Sequence, residues 1–507
     1  MHARLYSATT VGIDAQLIEI EADLSMGLVA FTIVGLPDKA ITESKERIRA
    51  ALKNSGSTLP IRSITVNLAP ANIKKQDVLF DVPITLAILR AAEELPAAPV
   101  YYEETIFLGE LALDGAIRSV CGVLAIADYA RQQGKKRLIV PRENAVEAAL
   151  ITGIEVIGVG HISELIAHMR GEIVLAATPS QFEKQFASLN AQEQAEDMAD
   201  VAGQWQAKRA LLLAAAGHHN VIMIGQPGSG KTMLAQRFRT LLPPLSFEEV
   251  IGVTKVYSVA GMLGDRSLIT RRPIRMPHHT ISQAGLIGGG SIPRPGEVSL
   301  AHHGVLFLDE LTEFSRATIE VLRQPMEGAV VRISRAHSAL SFPASFLLIA
   351  AMNPCPCGYF GNRERCRCSP HQVQAYIGKL SGPLLDRIDL HVAVKSVTYS
   401  DVSTNCSIQE PSSSDLMGMV SVAREQQKLR GQECLNGQLQ GKQVDRYCLV
   451  SDAVRQLIGR NFDTLGLSMR GYHKVLKIAR TIADLERSAV IEVAHVQEAL
   501  SFRTLSR

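Results

Sequence analysis

The stretch that decides the fold is NVIMIGQPGSGKTMLAQRF, from Asn220 to Phe238. Its apolar run is interrupted by small residues and then resumes at helical spacing, which predicts a strand, a tight loop and a helix. Gly225 to Thr232 match the pattern G-x-x-x-x-G-K-[ST]. In that pattern, the backbone N–H groups of the loop and of the helix start surround a phosphate. The stretch therefore predicts a phosphate-binding loop on an α/β sheet.

The side chains of this loop predict which nucleotide parts it holds. Lys231 would neutralise the β- and γ-phosphate oxygens, and the Thr232 hydroxyl would complete a Mg²⁺ shell at the positive end of the helix. The predicted cofactors are therefore ATP and Mg²⁺. The predicted ATP-binding residues are Gly225, Gln226, Pro227, Gly228, Ser229, Gly230, Lys231 and Thr232.

Two further apolar runs end in polar residues of the kind that phosphoryl transfer needs. GVLFLDE ends in Asp309 and Glu310, and SFLLIAAMN ends in Asn353. In a parallel sheet these strand ends meet at one edge. We expect Asp309 to join Thr232 in holding Mg²⁺, Glu310 to activate a water, and Asn353 to orient that water.

Phosphoryl transfer also needs positive charge near the departing γ-phosphate, and an arginine supplied in cis or in trans often provides it. Two arginines at domain edges are candidates. Arg387 stands just before a predicted strand in SGPLLDRIDLHVAV, and Arg470 stands at the start of a predicted helix in LSMRGYHKVLKIARTIADLE.

Taken in order, the motifs GQPGSGKT, GVLFLDE, AAMNPCPCG, SGPLLDRIDL and SMRGYHKVLKIARTIADL resemble the AAA+ ATPases related to magnesium chelatase subunit I. The closest resemblance is to the ComM (YifB-like) family, and it covers nearly the whole chain. It implies a ring, as a homohexamer. It also implies that Arg387 is an arginine finger acting on a neighbouring subunit, and that Arg470 is a sensor-2 arginine contacting the nucleotide from the lid.

The same resemblance implies contacts with DNA. The glycine-rich stretch RPIRMPHHTISQAGLIGGGSIPRPGEVSLAHHG resembles the helix-2 insert of this clade, and VVRISRAHSALSFPA resembles its pre-sensor-1 hairpin. Arg335 and His337 would lie near the hairpin tip, where a basic group in a ring pore can follow a phosphate backbone. An ordinary exposed turn explains the segment equally well. For the pairs His278-His279 and His302-His303 we expect structural roles, because neighbours on a strand or helix point apart.

Four of the eight cysteines crowd into CPCGYFGNRERCRC. Cys355, Cys357, Cys366 and Cys368 form C-x-C-x₈-C-x-C, and four soft thiolates on a short loop suit a tetrahedral structural Zn²⁺. The spacing is tighter than the usual C-x₂-C, so His371 replacing one thiolate is an open alternative.

The first 170 residues resemble the proteolytic domain of Lon, which has a ribosomal S5 domain 2-like fold. That domain cleaves peptides with a serine and a lysine of lowered pKa. The segment corresponding to the nucleophile reads DVLFDV and the one corresponding to the lysine reads CGVLAIA, and neither holds the required residue. We therefore expect the fold without the protease. The basic run RQQGKKR, Arg131 to Arg137, either contacts DNA or is a solvated helix end.

Length and composition set the overall organisation. The 507 residues predict about three domains, in a multidomain α/β chain with an α+β N-terminal domain, an AAA+ core and a C-terminal helical lid. The net charge of +3 neither requires nor opposes nucleic acid. Without a membrane-length apolar run or a signal peptide, we expect a cytoplasmic protein that meets no membrane. The predicted boundaries are 1–170 for the Lon-like domain, 171–198 for a connector, 199–395 for the core, 396–415 for a linker and 416–507 for the lid.

The resemblance implies an ATP-driven, ring-forming DNA motor, a helicase or branch-migration factor. Its substrates would be single-stranded and branched DNA in recombination intermediates of natural transformation. A chelatase-type or protein-remodelling ATPase with a protein substrate is the alternative. An ATP-dependent protease is disfavoured by the missing serine and lysine.

Overall fold

The computed structural model describes ten stretches of the chain, and all structural statements below refer to them: 2–35, 39–71, 79–180, 196–263, 268–290, 293–335, 338–362, 364–395, 410–461 and 468–503. The predicted connector and linker fall largely outside these stretches. Within them, no helix is long and apolar enough to cross a bilayer.

The strands and helices have the following bounds. The strands are β1 His2–Val11, β2 Asp14–Ser25, β3 Ala30–Val34, β4 Ser63–Ala69, β5 Thr105–Phe107, β6 Glu110–Leu111, β7 Ile117–Arg118, β8 Arg137–Pro141, β9 Glu155–Val159, β10 Val221–Gly225, β11 Ile274–Arg275, β12 Gly288–Gly289, β13 Arg294–Pro295, β14 Val305–Leu308, β15 Val330–Arg335, β16 Ser338–Pro343, β17 Leu347–Met352 and β18 Leu390–Val394. The α-helices are Lys39–Asn54, Asp81–Ala91, Pro99–Glu103, Val123–Gln132, Ala145–Ala148, Ile162–Arg170, Trp205–Gly217, Lys231–Arg237, Phe247–Ala260, Gln283–Ile287, Glu297–Leu300, Arg316–Glu320, Arg323–Gly328, Pro370–Ile377, Gly382–Leu385, Ser413–Leu429, Lys442–Tyr447, Asp452–Asn461, Met469–Leu485 and Val493–Ser501.

The N-terminal part is built on a mixed seven-stranded sheet with the order β3-β4-β2-β1-β5-β8-β9. Its first two strands form a long antiparallel hairpin, in which His2 faces Asp23 and Val11 faces Asp14. Buried and exposed residues largely alternate along β2, as expected for a strand with one face on a core. Helices cover that face, so this part is an α+β unit.

The central part is a five-stranded parallel sheet with the order β11-β14-β17-β10-β18. All residues of β14 and β17 are buried, because helices on both faces of a parallel sheet leave no exposed side. The carboxyl ends of β10, β17 and β14 therefore lie side by side. The mixed α/β architecture with a parallel sheet, as predicted from the sequence, is confirmed.

One helix of the central part packs into the N-terminal core. This interdomain helix, Phe247–Ala260, contributes Val250, Val253 and Val256 to the same buried cluster as the first sheet. Its Lys255 forms an ion pair with Asp128 of the first domain. The predicted boundary between the N-terminal domain and the ATPase core therefore does not separate two hydrophobic cores.

The C-terminal helices pack beside the parallel sheet and form one core with helix Trp205–Gly217. The first of them begins at Ser413, within the stretch that we predicted as a linker to residue 415. Ser413 is buried, and its hydroxyl accepts a hydrogen bond of 2.7 Å from the Met198 amide. The Ser and Asp residues that resemble a linker instead form a helix cap, since the Ser412 hydroxyl accepts from the Asp415 amide.

Candidate functional site

The phosphate loop, Gly225–Thr232, joins β10 to helix Lys231–Arg237. Gly228 and Gly230 adopt φ of +76° and +89°, which glycine tolerates and which turn the loop tightly. The Lys231 ammonium donates to the carbonyl oxygens of Gly225 and Gln226 at 2.8 and 2.9 Å. Its side chain therefore folds back over the loop, in the position from which a phosphate would be met.

Two carboxylates lie opposite this loop. The Thr232 hydroxyl donates to Asp309 Oδ2 at 2.8 Å, and the Glu310 amide donates to Asp309 Oδ1 at 2.9 Å. Asp309 is thereby fixed next to Thr232, whereas the Glu310 side chain is 58% exposed. Burial lowers the pKa of Lys231, and the charges of Asp309 and Glu310 oppose that shift.

Asn353 completes this edge of the sheet. Directly after β17, its Oδ1 accepts a hydrogen bond of 3.4 Å from Lys231 Nζ. Since β17 lies between β10 and β14, Asn353 stands between the phosphate loop and the two carboxylates. The structure thus brings together the residues predicted on three separate strands.

A residue for which the sequence analysis expected only a structural role also reaches this edge. His279 Nδ1 lies 3.8 Å from Glu310 Oε2. The rings of His278 and His279 have centroids 4.1 Å apart, and those of His302 and His303 3.9 Å. Our expectation that such neighbours point apart was wrong, because neither pair lies within a regular strand or helix. No spacing in the sequence signals the approach of His279 to Glu310.

The two candidate arginines lie elsewhere. Arg387 and Arg470 line a common cleft of about 1200 Å³ between the parallel-sheet part and the C-terminal helices, and none of residues 225–232 lines it. Arg387 is only 12% exposed, and its guanidinium contacts Glu327 Oε1 and the Pro383 carbonyl oxygen, each at 2.6 Å. Arg470 is exposed. The phosphate loop of the same chain therefore does not contribute to the cleft that these two arginines share.

Buried charges hold the C-terminal helices against the parallel-sheet part. Asp389, two residues after Arg387, forms an ion pair of 3.3 Å with Lys474 of the C-terminal helix Met469–Leu485. Asp389 Oδ2 also lies 3.5 Å from the buried His219 ring, whose Nε2 is 2.8 Å from the hydroxyl of Thr481 on the same helix. Burial by itself would raise the pKa of Asp389, but Lys474 and His219 outweigh it and hold that pKa well below its usual range.

An Asp389→Asn variant should therefore lose about 3–5 kcal/mol of unfolding free energy, because Lys474 would stay buried without a counter-charge. Urea unfolding followed by the fluorescence of Trp205, the only tryptophan, reports on it. The lowered pKa makes the wild-type pair stabilising above about pH 4 and weaker below it, so the difference should shrink in acid. Asp452→Asn, in an exposed ion pair with Arg455, should cost about 0–1 kcal/mol. Equal losses in both variants would contradict the role of Asp389.

The predicted metal loop, Pro354–Ser369, follows Asn353 and is called the thiol loop below. Among the described residues, its four cysteines are the one group that could hold a metal ion, with all Sγ atoms within 4.8 Å of one another; His371 is not part of it. Cys355 and Cys357 lie 3.3 Å apart, Cys357 and Cys366 3.7 Å, and Cys355 and Cys366 3.9 Å. A tetrahedral Zn²⁺ with bonds of about 2.3 Å has sulfur–sulfur edges of about 3.8 Å. The four thiols fit such an ion.

The predicted DNA contacts fall on the hairpin of β15 and β16. Arg335 is the last residue of β15 and pairs with Ser338. His337 lies outside the described residues. The basic run of the first domain is ion-paired, with Arg131 contacting Asp128 at 2.7 Å and Arg137 contacting Glu155 at 2.9 Å. Such pairing favours the solvated helix end over a DNA contact for that run.

The structure describes most of the two segments that the sequence analysis compared with the nucleophile and lysine segments of a protease. Asp81 begins helix Asp81–Ala91, is fully buried, and accepts from Arg47 Nε at 2.7 Å and from the Leu111 amide at 3.1 Å. Residues 123–127 are all buried and apolar. Residues 77 and 78 lie outside the described part of the chain. The described segments hold a structural ion pair and an apolar helix.

Comparison with known proteins covers almost the whole chain. Residues 197–402 match the family model described as magnesium chelatase, subunit ChlI, residues 20–144 match subunit ChlI of Mg-chelatase, and residues 410–503 match the ChlI C-terminal model. The chain is 40% identical to competence protein ComM of Haemophilus influenzae over 505 residues, or 100% of this chain and 98% of that protein.

Two other relatives extend this comparison. An uncharacterized protein YifB of Salmonella typhimurium is 40% identical over 506 residues, which are 100% of this chain and 97% of that protein. The magnesium-chelatase 67 kDa subunit of Heliobacterium mobile is 26% identical over 227 residues, 39% of this chain and 30% of the subunit. The similarity to ComM and YifB is thus full-length, whereas that to the chelatase subunit is partial.

Proposed function

The chain belongs to the ComM/YifB family of magnesium-chelatase-like AAA+ proteins, and on this premise we propose that it is an ATP-driven, ring-forming DNA motor. It acts as a helicase or branch-migration factor on recombination intermediates in natural transformation. The family is related to AAA+ ATPases, which supports ATP hydrolysis. The name of the Haemophilus relative, a competence protein, supports the link to transformation.

ATP hydrolysis is supported above all by the meeting of the phosphate loop with Asp309, Glu310 and Asn353 at one sheet edge. In the proposed reaction, Asn353 orients the attacking water and Glu310 accepts a proton from that water. The water oxygen bonds to the γ-phosphorus as the bond to the β–γ bridging oxygen breaks. Mg²⁺, held by Thr232 and Asp309, would neutralise charge on the phosphates.

A ring is supported by the place of the two arginines. Arg387 and Arg470 line one cleft of the chain and its own phosphate loop lies outside that cleft. If both arginines act on a γ-phosphate, that phosphate belongs to the ATP bound by a neighbouring subunit. We therefore assign both arginines to the nucleotide of the next subunit in a homohexamer, where Arg387 would exchange its contact with Glu327 for phosphate oxygens.

The thiol loop completes the proposed cofactor set. Four converging thiols, with edges close to those of a ZnS₄ tetrahedron, support a structural Zn²⁺ with no open position. The remaining domain assignments, the Lon-like N-terminal fold without a protease and the helical lid, belong to the same proposal, as does a cytoplasmic location.

The alternative is a chelatase-type or protein-remodelling ATPase with a protein substrate. It is favoured by the interdomain helix, whose apolar residues share a core with the first domain. Movement of the ATPase core would therefore reach a domain that could hold a protein partner.

Steady-state ATP hydrolysis with no DNA, single strands, duplex or a four-way junction separates the two functions. We expect DNA, and single strands or junctions most, to raise the rate several-fold at low salt, where phosphate contacts are strongest. Arg335→Glu should abolish this rise and leave the basal rate unchanged. Arg49→Glu, on the first domain's surface beside Glu46, is the matched control and should keep it. A rate indifferent to every DNA would reject the DNA motor in favour of the alternative.

A further inference from the structure

The thiol loop touches the phosphate loop directly. Gly358 adopts φ of +84°, and a Cβ built on it would lie 2.7 Å from both Cγ and Cδ of Pro227. That distance is far below van der Waals contact, so only glycine lets the two loops approach this closely. Pro227 is the third residue of the phosphate loop, and its position affects the N–H groups that surround the phosphate.

A second contact joins the same two segments. Asn353, two residues before Cys355, accepts from Lys231 Nζ at 3.4 Å. Residues 353–358 therefore meet the phosphate loop at two places, Pro227 and Lys231. A displacement of the thiol loop would therefore shift the backbone of the phosphate loop and the Lys231 ammonium, the groups that contact a bound phosphate.

The position of Gly358 depends on the thiols themselves. Its amide donates to the Cys355 carbonyl oxygen at 2.9 Å, which closes a tight turn over residues 355–358. Cys355 opens this turn and is buried, and Cys357 immediately precedes Gly358. An ion bound by both sulfurs would fix the turn and hold Gly358 against Pro227.

We propose that a soft divalent cation held by Cys355, Cys357, Cys366 and Cys368 and a nucleoside triphosphate held by the phosphate loop bind with positive coupling, transmitted through Gly358 and Pro227. Each ligand stabilises the arrangement that the other requires, so each raises the affinity of the other by the same factor. The proposal rests on nucleotide binding by the phosphate loop, as put forward above.

Two equilibrium titrations on the full chain test this coupling. Zn²⁺ affinity is measured by competition with a chelator, with and without saturating MgATPγS, and MgATPγS affinity is measured on the zinc-loaded and the zinc-free chain. We expect both affinities to rise by the same factor, roughly 5- to 100-fold. Equal Zn²⁺ affinities with and without the nucleotide would overturn the coupling, and failure to bind Zn²⁺ would overturn the site.

A pair of glycine variants tests the route without touching a cysteine. Gly358→Ala should keep one Zn²⁺ per chain, weaken MgATPγS binding several-fold and remove the effect of the nucleotide on Zn²⁺ affinity. Gly361→Ala is the matched control, because Gly361 lies in the same loop with φ of +91° but has no atom within 4 Å of a built Cβ. If the nucleotide changes Zn²⁺ affinity by the same factor in Gly358→Ala and in the parent, the route through Gly358 and Pro227 is contradicted. That outcome would contradict the route even if removal of zinc unfolds the chain.

The outcomes also separate this proposal from the proposed function. If the zinc-loaded parent fails to bind MgATPγS, nucleotide binding itself is refuted and the coupling falls with it. If the parent binds MgATPγS with an affinity that does not depend on zinc, the coupling alone is refuted and the ATPase assignment stands.

Discussion

An Arg387→Ala variant is expected to hydrolyse ATP roughly 10³-fold more slowly than the parent chain, or slower still, with little change in nucleotide affinity. The guanidinium lines a cleft to which its own phosphate loop does not contribute, so removing it leaves the residues that bind ATP intact. What is lost is the positive charge that stabilises the departing γ-phosphate of a neighbouring subunit. Steady-state hydrolysis and equilibrium binding of MgATPγS, measured on the same preparation, separate the two effects.

Subunit mixing tests whether Arg387 acts in trans. Lys231→Ala chains cannot hold the phosphates but keep the arginine, whereas Arg387→Ala chains keep the phosphate loop. In mixed rings with equal amounts of both, about a quarter of the interfaces would join an intact loop to an intact arginine, and hydrolysis should recover accordingly. Arg323→Ala is the matched control, because Arg323 lines the same cleft and pairs with Glu320; it should hydrolyse ATP within about threefold of the parent rate. Mixed rings without recovery would contradict a role in trans.

A Glu310→Gln variant should bind MgATP with parental affinity and lose roughly 10²- to 10⁴-fold in turnover. The amide keeps the shape of the carboxylate but cannot accept a proton from the attacking water. The Thr232 and Asp309 contact, which does not involve the Glu310 side chain, should keep Mg²⁺ in place. Single-turnover hydrolysis of bound ATP, compared with binding, measures the chemical step by itself.

The control for this variant lies three residues along the chain. Glu313→Gln removes a carboxylate that is 47% exposed and 3.9 Å from Lys379, so the same change in charge is made outside the sheet edge. It should hydrolyse ATP at close to the parental rate. If Glu310→Gln hydrolysed ATP at the parental rate, another group would be the general base. His279, which lies 3.8 Å from Glu310, would then be the first residue to mutate.

The residues at the sheet edge could be predicted from the sequence because their positions follow from local rules. A buried strand ends where its apolar run ends, and the carboxyl ends of parallel strands share one edge. Asp309 and Asn353 therefore had to lie near Lys231 once three strands were placed in one parallel sheet. The thiol cluster was accessible for a similar reason, since its members lie within 14 residues of chain, Cys355–Cys368.

The location of Arg470 in the folded chain could not be predicted in this way. Its position at the start of a helix was predicted, but the cleft that it lines depends on how the C-terminal helices pack on the parallel-sheet part. The ion pair of Asp389 with Lys474 and the contact between His219 and Thr481 fix that packing. Each joins residues far apart in the chain, and no periodicity or motif specifies which distant charges become buried together.

By itself, the sequence determined the phosphate loop, the acids and the asparagine at the ends of parallel strands, the four-thiol loop, and the family to which the chain belongs. Strand ends, glycine turns and closely spaced cysteines are set by hydrogen bonding and sterics over a few residues. Only the tertiary structure decided the approach of His279 to Glu310, the contact of Gly358 with Pro227, and the shared cleft of Arg387 and Arg470. These contacts join segments distant in sequence, whose distances are set by the packing of whole cores.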